Sequence, residues 1–152
     1  MTLKEWESSG WLRKHTTSLQ EITQLLEIVD RDLKDSQHTI LSSDWRFGIA
    51  YNAALKLCTV LLYSEGYKPD RSVAHFRTIQ ALPLILGKEK EDDSDYLNSC
   101  RSKRNKVKYD SIGGASDSEA DELIEFVADL KIQVIDWLKI KHPEFLDSSK
   151  ER

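Results

Sequence analysis

Apolar residues recur at helical spacing along most of the chain, and a polar capping signal precedes nearly every apolar run. Thr2-Leu-Lys-Glu5 has the form of a capping box, in which the threonine hydroxyl and the glutamate carboxylate satisfy opposing backbone N–H groups. The short helix it opens is expected to stop by Gly10. Ser18-Leu-Gln-Glu21 repeats the signal before a longer helix, whose Leu19, Ile22, Leu26, Val29 and Leu33 form a single stripe for burial. Ser42-Ser43-Asp44 offers an N-cap to the most hydrophobic helix, about Trp45 to Ser64. Phe47, Ala50, Tyr51, Ala54, Leu55, Cys58, Leu61 and Leu62 cover more than half of its circumference, so it belongs in the middle of a bundle. Gly66 closes it, because glycine enters the left-handed C-cap conformation without a Cβ penalty.

Tyr67-Lys-Pro-Asp70 reads as a turn. A further helix spans about Val73 to Leu86, with Pro83 ending or kinking it near Leu82. Asp92 or Ser94 is expected to cap the next helix, which continues to about Lys108. Ser111 to Ser116, with Gly113-Gly114 inside it, is a flexible break. Asp117 or Ser118 caps the last long helix, with Leu123, Ile124, Val127, Leu130, Val134, Ile135 and Leu138 as its stripe and His142-Pro143 as its stop. Neither strand alternation nor an internal repeat stands out. The expected fold is all-α, an up-and-down bundle of four to five main helices in one domain over residues 1–146, followed by a frayed tail, 147–152.

Composition narrows this picture. A chain of 152 residues fits one domain that buries roughly 70% of the surface its unfolded form exposes. Uninterrupted apolar stretches such as Leu82 to Leu86 are far shorter than the roughly 18 residues of a bilayer span. The first residues carry early acids rather than the apolar core of a signal peptide, so a cytoplasmic protein with no membrane partner is expected. Cys58 and Cys100 lack CxxC spacing and read as reduced thiols. His15, His38, His75 and His142 are scattered without ligand spacing, so neither a metal nor another cofactor is expected.

Charge changes the picture most. In a chain of formal net charge -4, five cations fall between Arg101 and Lys108 with no acid among them, directly after the acidic run Glu89 to Asp95. Such a concentration must survive its own repulsion and attracts phosphate. Arg104 is the leading candidate, since a guanidinium stays charged and grips two phosphate oxygens at once. Arg101, Arg104 and Lys108 share one helical face and form a phosphate-binding ridge, with Lys103 beside it. A bland alternative is an intramolecular ion pair to the acidic run, or a solvated face.

Three stretches resemble the HEPN superfamily of helical nucleotide-binding domains: Ala50-Tyr-Asn-Ala-Ala-Leu-Lys-Leu; Leu62 to Pro69 followed by Ala74 to Leu86; and Arg101-Ser-Lys-Arg-Asn-Lys-Val-Lys-Tyr-Asp. Many HEPN proteins are metal-independent RNases with an Arg, four to six residues, then His, and they commonly dimerise so that two such motifs face one cleft. Arg104 and Asn105 match the first half of that signature, while Tyr109 holds the histidine position. The resemblance therefore implies a homodimer that binds RNA or a nucleotide. It implies either a degenerate nuclease or the HEPN partner of a nucleotidyltransferase of toxin–antitoxin type. The alternative is an active endoribonuclease with Arg104, Tyr109 and Asn105 as its catalytic set. Asp110 and Asn52 stand in supporting positions.

The substituted tyrosine matters chemically. A phenol titrates near 10, not near neutrality as histidine does, although neighbouring cations favour its phenolate. Tyr109 therefore serves either as a weak acid–base group or as a packed ring whose hydroxyl orients Arg104. Five residues at about 100° each separate Arg104 and Tyr109 by roughly 140° on a helix. The two line one site only if the helix ends between them or a second subunit supplies one of them. His75 could supply an acid–base group from another helix, or be structural. Asn52 either supports the site from behind or satisfies the core. Trp6, Trp11, Trp45 and Trp137 could stack on bases, but their amphipathic settings favour packing.

Overall fold

A computed structural model describes residues 1–71, 74–109 and 114–147, with the backbone alone for 106–109. The molecule is mostly helical, as its periodicity predicts. Its helices are α1 (Leu3–Ser8), α2 (Leu19–Ser36), α3 (Ser43–Ser64), α4 (Ala74–Gln80), α5 (Leu82–Leu86), α6 (Glu91–Tyr109) and α7 (Asp117–Lys141). Two short strands, β1 (Leu12–Lys14) and β2 (Tyr67–Pro69), pair antiparallel with Leu12 opposite Pro69. This ribbon corrects the expectation of no strand and of a turn at Tyr67. Three residues on each side are too few to show alternation, and the pairing links segments far apart in sequence.

α3 sits at the centre and packs against α2, α4, α5, α6 and α7. Ala50, Ala53, Leu57, Val60, Leu61 and Leu62 are wholly enclosed, as are Ile22 and Val29 from α2 and Leu123, Val127 and Leu138 from α7. α3 is also long and apolar enough to cross a bilayer by length and composition alone, and most of its apolar stretch is buried inside the bundle. Leu19 departs from the expected stripe: at the first turn of α2 it remains 41% exposed. Trp45 departs likewise, at 68% exposed. Arg46, in contrast, is buried in the first turns of α3, where its Nε donates to the Ser36 carbonyl (2.9 Å) and Nη2 to Asp121 (2.6 Å).

Helix ends follow local chemistry. Thr2 and Glu5 close the expected capping box, and Ser18 and Ser42 cap α2 and α3. Glu21 does not return to the Ser18 backbone as a box would require; it accepts from Thr17 (2.7 Å) and meets His15 Nε2 (2.6 Å). For α7 the cap is Ser116, one residue earlier than expected, in a full box with Glu119. Neither Asp92 nor Ser94 caps α6, which is entered through a 3-10 turn (Lys88–Lys90) after Gly87, whose φ of 124° demands glycine. Pro83 explains where Ser94 goes. Lacking an N–H, proline leaves the Ile79 carbonyl four residues back without its helical donor, and the buried Ser94 hydroxyl donates to that carbonyl at 3.1 Å. This bond pins α6 to α4.

A second small cluster gathers Trp6, Leu12, Leu62 and Ala81 beside the ribbon. Arg77 of α4 lies over Trp11 at 3.7 Å and Trp6 at 5.5 Å, joining the N-terminal segment to the bundle by cation–π contact. Both cysteines are free and buried. Burial pushes the Cys58 thiol up to about 12, and the Cys100 thiol up to about 11 against a hydrogen bond from Tyr96. Since the thiolate is the nucleophile, a disulfide-exchange reagent at pH 8 should modify neither thiol until denaturant is added. Rapid labelling of the native protein would refute this. The expected tail, 147–152, lies outside the described residues beyond Asp147.

Candidate functional site: two arginines where α6 meets α3 and α4

α6 is anchored by its buried Leu97 and Cys100, and by Tyr96, whose ring meets Phe126 of α7 at 4.8 Å. That anchoring sets the face carrying Arg101 and Arg104 toward α3 and α4. The Arg101 guanidinium lies 5.7 Å from the Phe76 ring of α4, and that of Arg104 lies 5.7 Å from the Tyr51 ring of α3. Arg101 Nε donates to Asn98 (3.0 Å), a neutral partner that leaves its charge uncompensated. Among the described residues no carboxylate forms an ion pair with Arg101, Arg104 or Lys56. Among the described ion pairs none joins the acidic run to these arginines, while both stay partly exposed as a solvated face would be.

Tyr51, His75 and Lys56 come from the two helices that face Arg101 and Arg104. Tyr51 is 1% exposed, its hydroxyl has no hydrogen-bond partner, and burial pushes its pKa up to about 12 despite Arg101 and Arg104 nearby. His75 is exposed on α4; partial desolvation, then Arg104, Lys56 and Arg101, lower its pKa. Lys56 is partly buried on α3, one helical turn beyond Asn52.

Other predicted residues separate from these arginines. Lys103 points to α7 and pairs with Glu119 at 2.7 Å; its hydrogen bond holds the Glu119 carboxyl below its ordinary range. With Asn98, Ser99 and Ser102 these two residues line a shallow depression. Asn105 is partly buried on α6. α6 continues without a break from Arg104 to Tyr109, so the helix does not end between the two positions. The side chains of Lys108 and Tyr109, and all of Asp110, lie outside the described residues. Among the described residues no cluster of His, Cys, Asp or Glu is arranged to hold a metal.

Asn52 serves the core. Its Nδ2 donates at 2.7 Å to Asp32, which is 5% exposed and also accepts from Arg31 at 3.0 Å. Asn52→Ala removes one of the few donors to a buried carboxylate and is expected to cost about 1–3 kcal/mol in urea unfolding. An unchanged unfolding free energy in this variant would show that the bond to Asp32 does not hold the core.

Comparison with models of known protein families, with curated proteins and with solved structures gives no match for this chain.

Proposed function

We propose that this protein binds RNA or a nucleotide by its phosphates where α6 meets α3 and α4, with Arg101 and Arg104 as the principal contacts. The observation that carries this reading is the pair of guanidiniums held against Phe76 and Tyr51 with no described carboxylate to neutralise them. Maintaining cations side by side costs stability, and an anionic ligand is what repays it. Arg101 and Arg104 fit phosphate better than lysines would, since each presents a planar fork of donors.

On the HEPN resemblance the working form is a homodimer with nuclease-like ancestry, and a nucleotidyltransferase-type protein is a candidate partner. Tyr109 at the histidine position favours binding without cleavage. The deciding experiment is fluorescence polarisation of a 3′-labelled single-stranded RNA, run beside an RNA-cleavage assay in EDTA. Saturable, salt-sensitive binding without cleavage is the expected result. Cleavage lost in Arg104→Ala would establish the metal-independent endoribonuclease instead. Absence of binding to RNA and nucleotides alike would sink the reading.

A further inference from the structure

We propose that Arg77 of α4 continues the Arg104–Arg101 pair as a third phosphate contact. The ligand is then a single RNA strand with at least three successive phosphates, not a mononucleotide. The inference rests on the reading above and narrows it to a ligand class. One ring joins the two helices: the Arg77 guanidinium lies 5.5 Å from the Phe76 centroid, and the Arg101 guanidinium lies 5.7 Å from it. Those two distances place the guanidiniums no more than about 11 Å apart. Arg104 follows one helical turn beyond Arg101 on α6, against the Tyr51 ring. Arg77 is partly exposed, and its Nη1 donates to the neutral Gln80 at 2.9 Å, much as Arg101 donates to Asn98. Among the described residues no carboxylate forms an ion pair with Arg77. Its Nε is buried without a hydrogen-bond partner, and its guanidinium lies 3.7 Å from the Trp11 ring.

Trp6 and Trp11 explain how Arg77 is held, since ring faces attract a guanidinium. They do not cancel its charge, so three uncompensated cations adjoin one another across two helices. Charge matching selects the ligand. A mononucleotide brings one phosphate of about -1.5 to -2 at neutral pH, too little for three guanidiniums. An internal phosphodiester carries one negative charge, so three successive diesters balance the three arginines, each meeting one planar fork of donors. A nucleoside triphosphate has charge enough but gathers it in one compact chain. The arginines are instead spread over α4 and α6, with the Phe76 ring shared by two of them. A strand, whose phosphates are set apart by ribose, suits that spread.

The test uses the whole chain and a series of 5′-hydroxyl oligouridylates with one to six internucleotide phosphates, beside UMP and UTP. Each competes with a labelled single-stranded RNA in fluorescence polarisation. Affinity is expected to rise about ten-fold with each phosphate up to three, and only slightly beyond. For the longest strand, log K against log salt should fall with a slope of about −2, three contacts at about 0.7 each. Arg77→Met keeps an unbranched apolar stem against Trp11 and Trp6 and removes the charge. It should bring the slope to about −1.4 and move the plateau from three phosphates to two, with folding checked by circular dichroism. An unchanged slope and plateau in this variant overturn the proposal and leave the Arg101–Arg104 reading intact. Should Arg77→Met not fold, the wild-type series decides alone, and a plateau at one or two phosphates has the same meaning. UTP binding as tightly as the three-phosphate strand overturns the strand as ligand in favour of a polyphosphate. No binding of any probe overturns both readings.

Discussion

Replacing Arg101 and Arg104 together by alanine is expected to lower RNA affinity by at least about 100-fold, with folding left intact. Charge-assisted hydrogen bonds are worth about 1.5–3 kcal/mol each, so either arginine alone accounts for roughly ten-fold or more. Because the two share one ligand, the double variant need not equal the sum of the singles. Stability should hold or rise, since both side chains are partly exposed, pair with no described carboxylate, and repel each other. Lys103→Ala is the internal control. It removes a cation from the same helix, but one already turned to Glu119, and should change affinity less than about two-fold. Equal losses in Lys103→Ala and in the arginine variants would mean that the overall charge of α6, not these two arginines, attracts the RNA.

How much of this was legible in the chain differs between fold and site. Helix positions followed from apolar spacing and from caps whose chemistry is local, such as Thr2 with Glu5 and Ser42 before Trp45. The errors arose where one residue had a distant alternative. Ser94 looked like a cap until Pro83 left the Ile79 carbonyl open to it, and Glu21 looked like half of a box until His15 and Thr17 engaged it. The ribbon was invisible because its pairing joins Leu12 to Pro69, a contact that no window along the chain contains.

The site was legible only on its own helix. Arg101 and Arg104 followed from charge and spacing, and their common face is the one turned to α3 and α4. Lys103, two residues beyond Arg101, lies about 200° round α6 from it, and there the Ser116–Glu119 box places Glu119 within its reach. Tyr51 belongs to α3 and Phe76 to α4, so their meeting with the arginines depends on how three helices pack. Asn52 shows the converse: its neighbour in sequence, Tyr51, faces α6, while Asn52 itself turns to Asp32 of α2. Steps of about 100° along a helix suffice to separate a site residue from a core one.

Leu61→Ala is expected to be the most destabilising of the single changes considered, at about 2–5 kcal/mol, because Leu61 is fully enclosed in the last turn of the central helix. The cost combines lost apolar burial with a cavity that the tightly packed core around it closes only in part. Against a typical domain stability of about 5–15 kcal/mol this is a large fraction, and the melting temperature should fall by roughly 5–20 °C. Leu19→Ala removes the same atoms from a side chain that is 41% exposed in the first turn of α2, and should cost less than about 1 kcal/mol. Thermal unfolding followed by helical circular dichroism measures both. If the two variants melt together, α3 is not the packed axis of the bundle. If Leu61→Ala melts far lower yet binds RNA normally below its transition, the central helix supports the site as a scaffold, and the chemistry belongs to the side chains that form it.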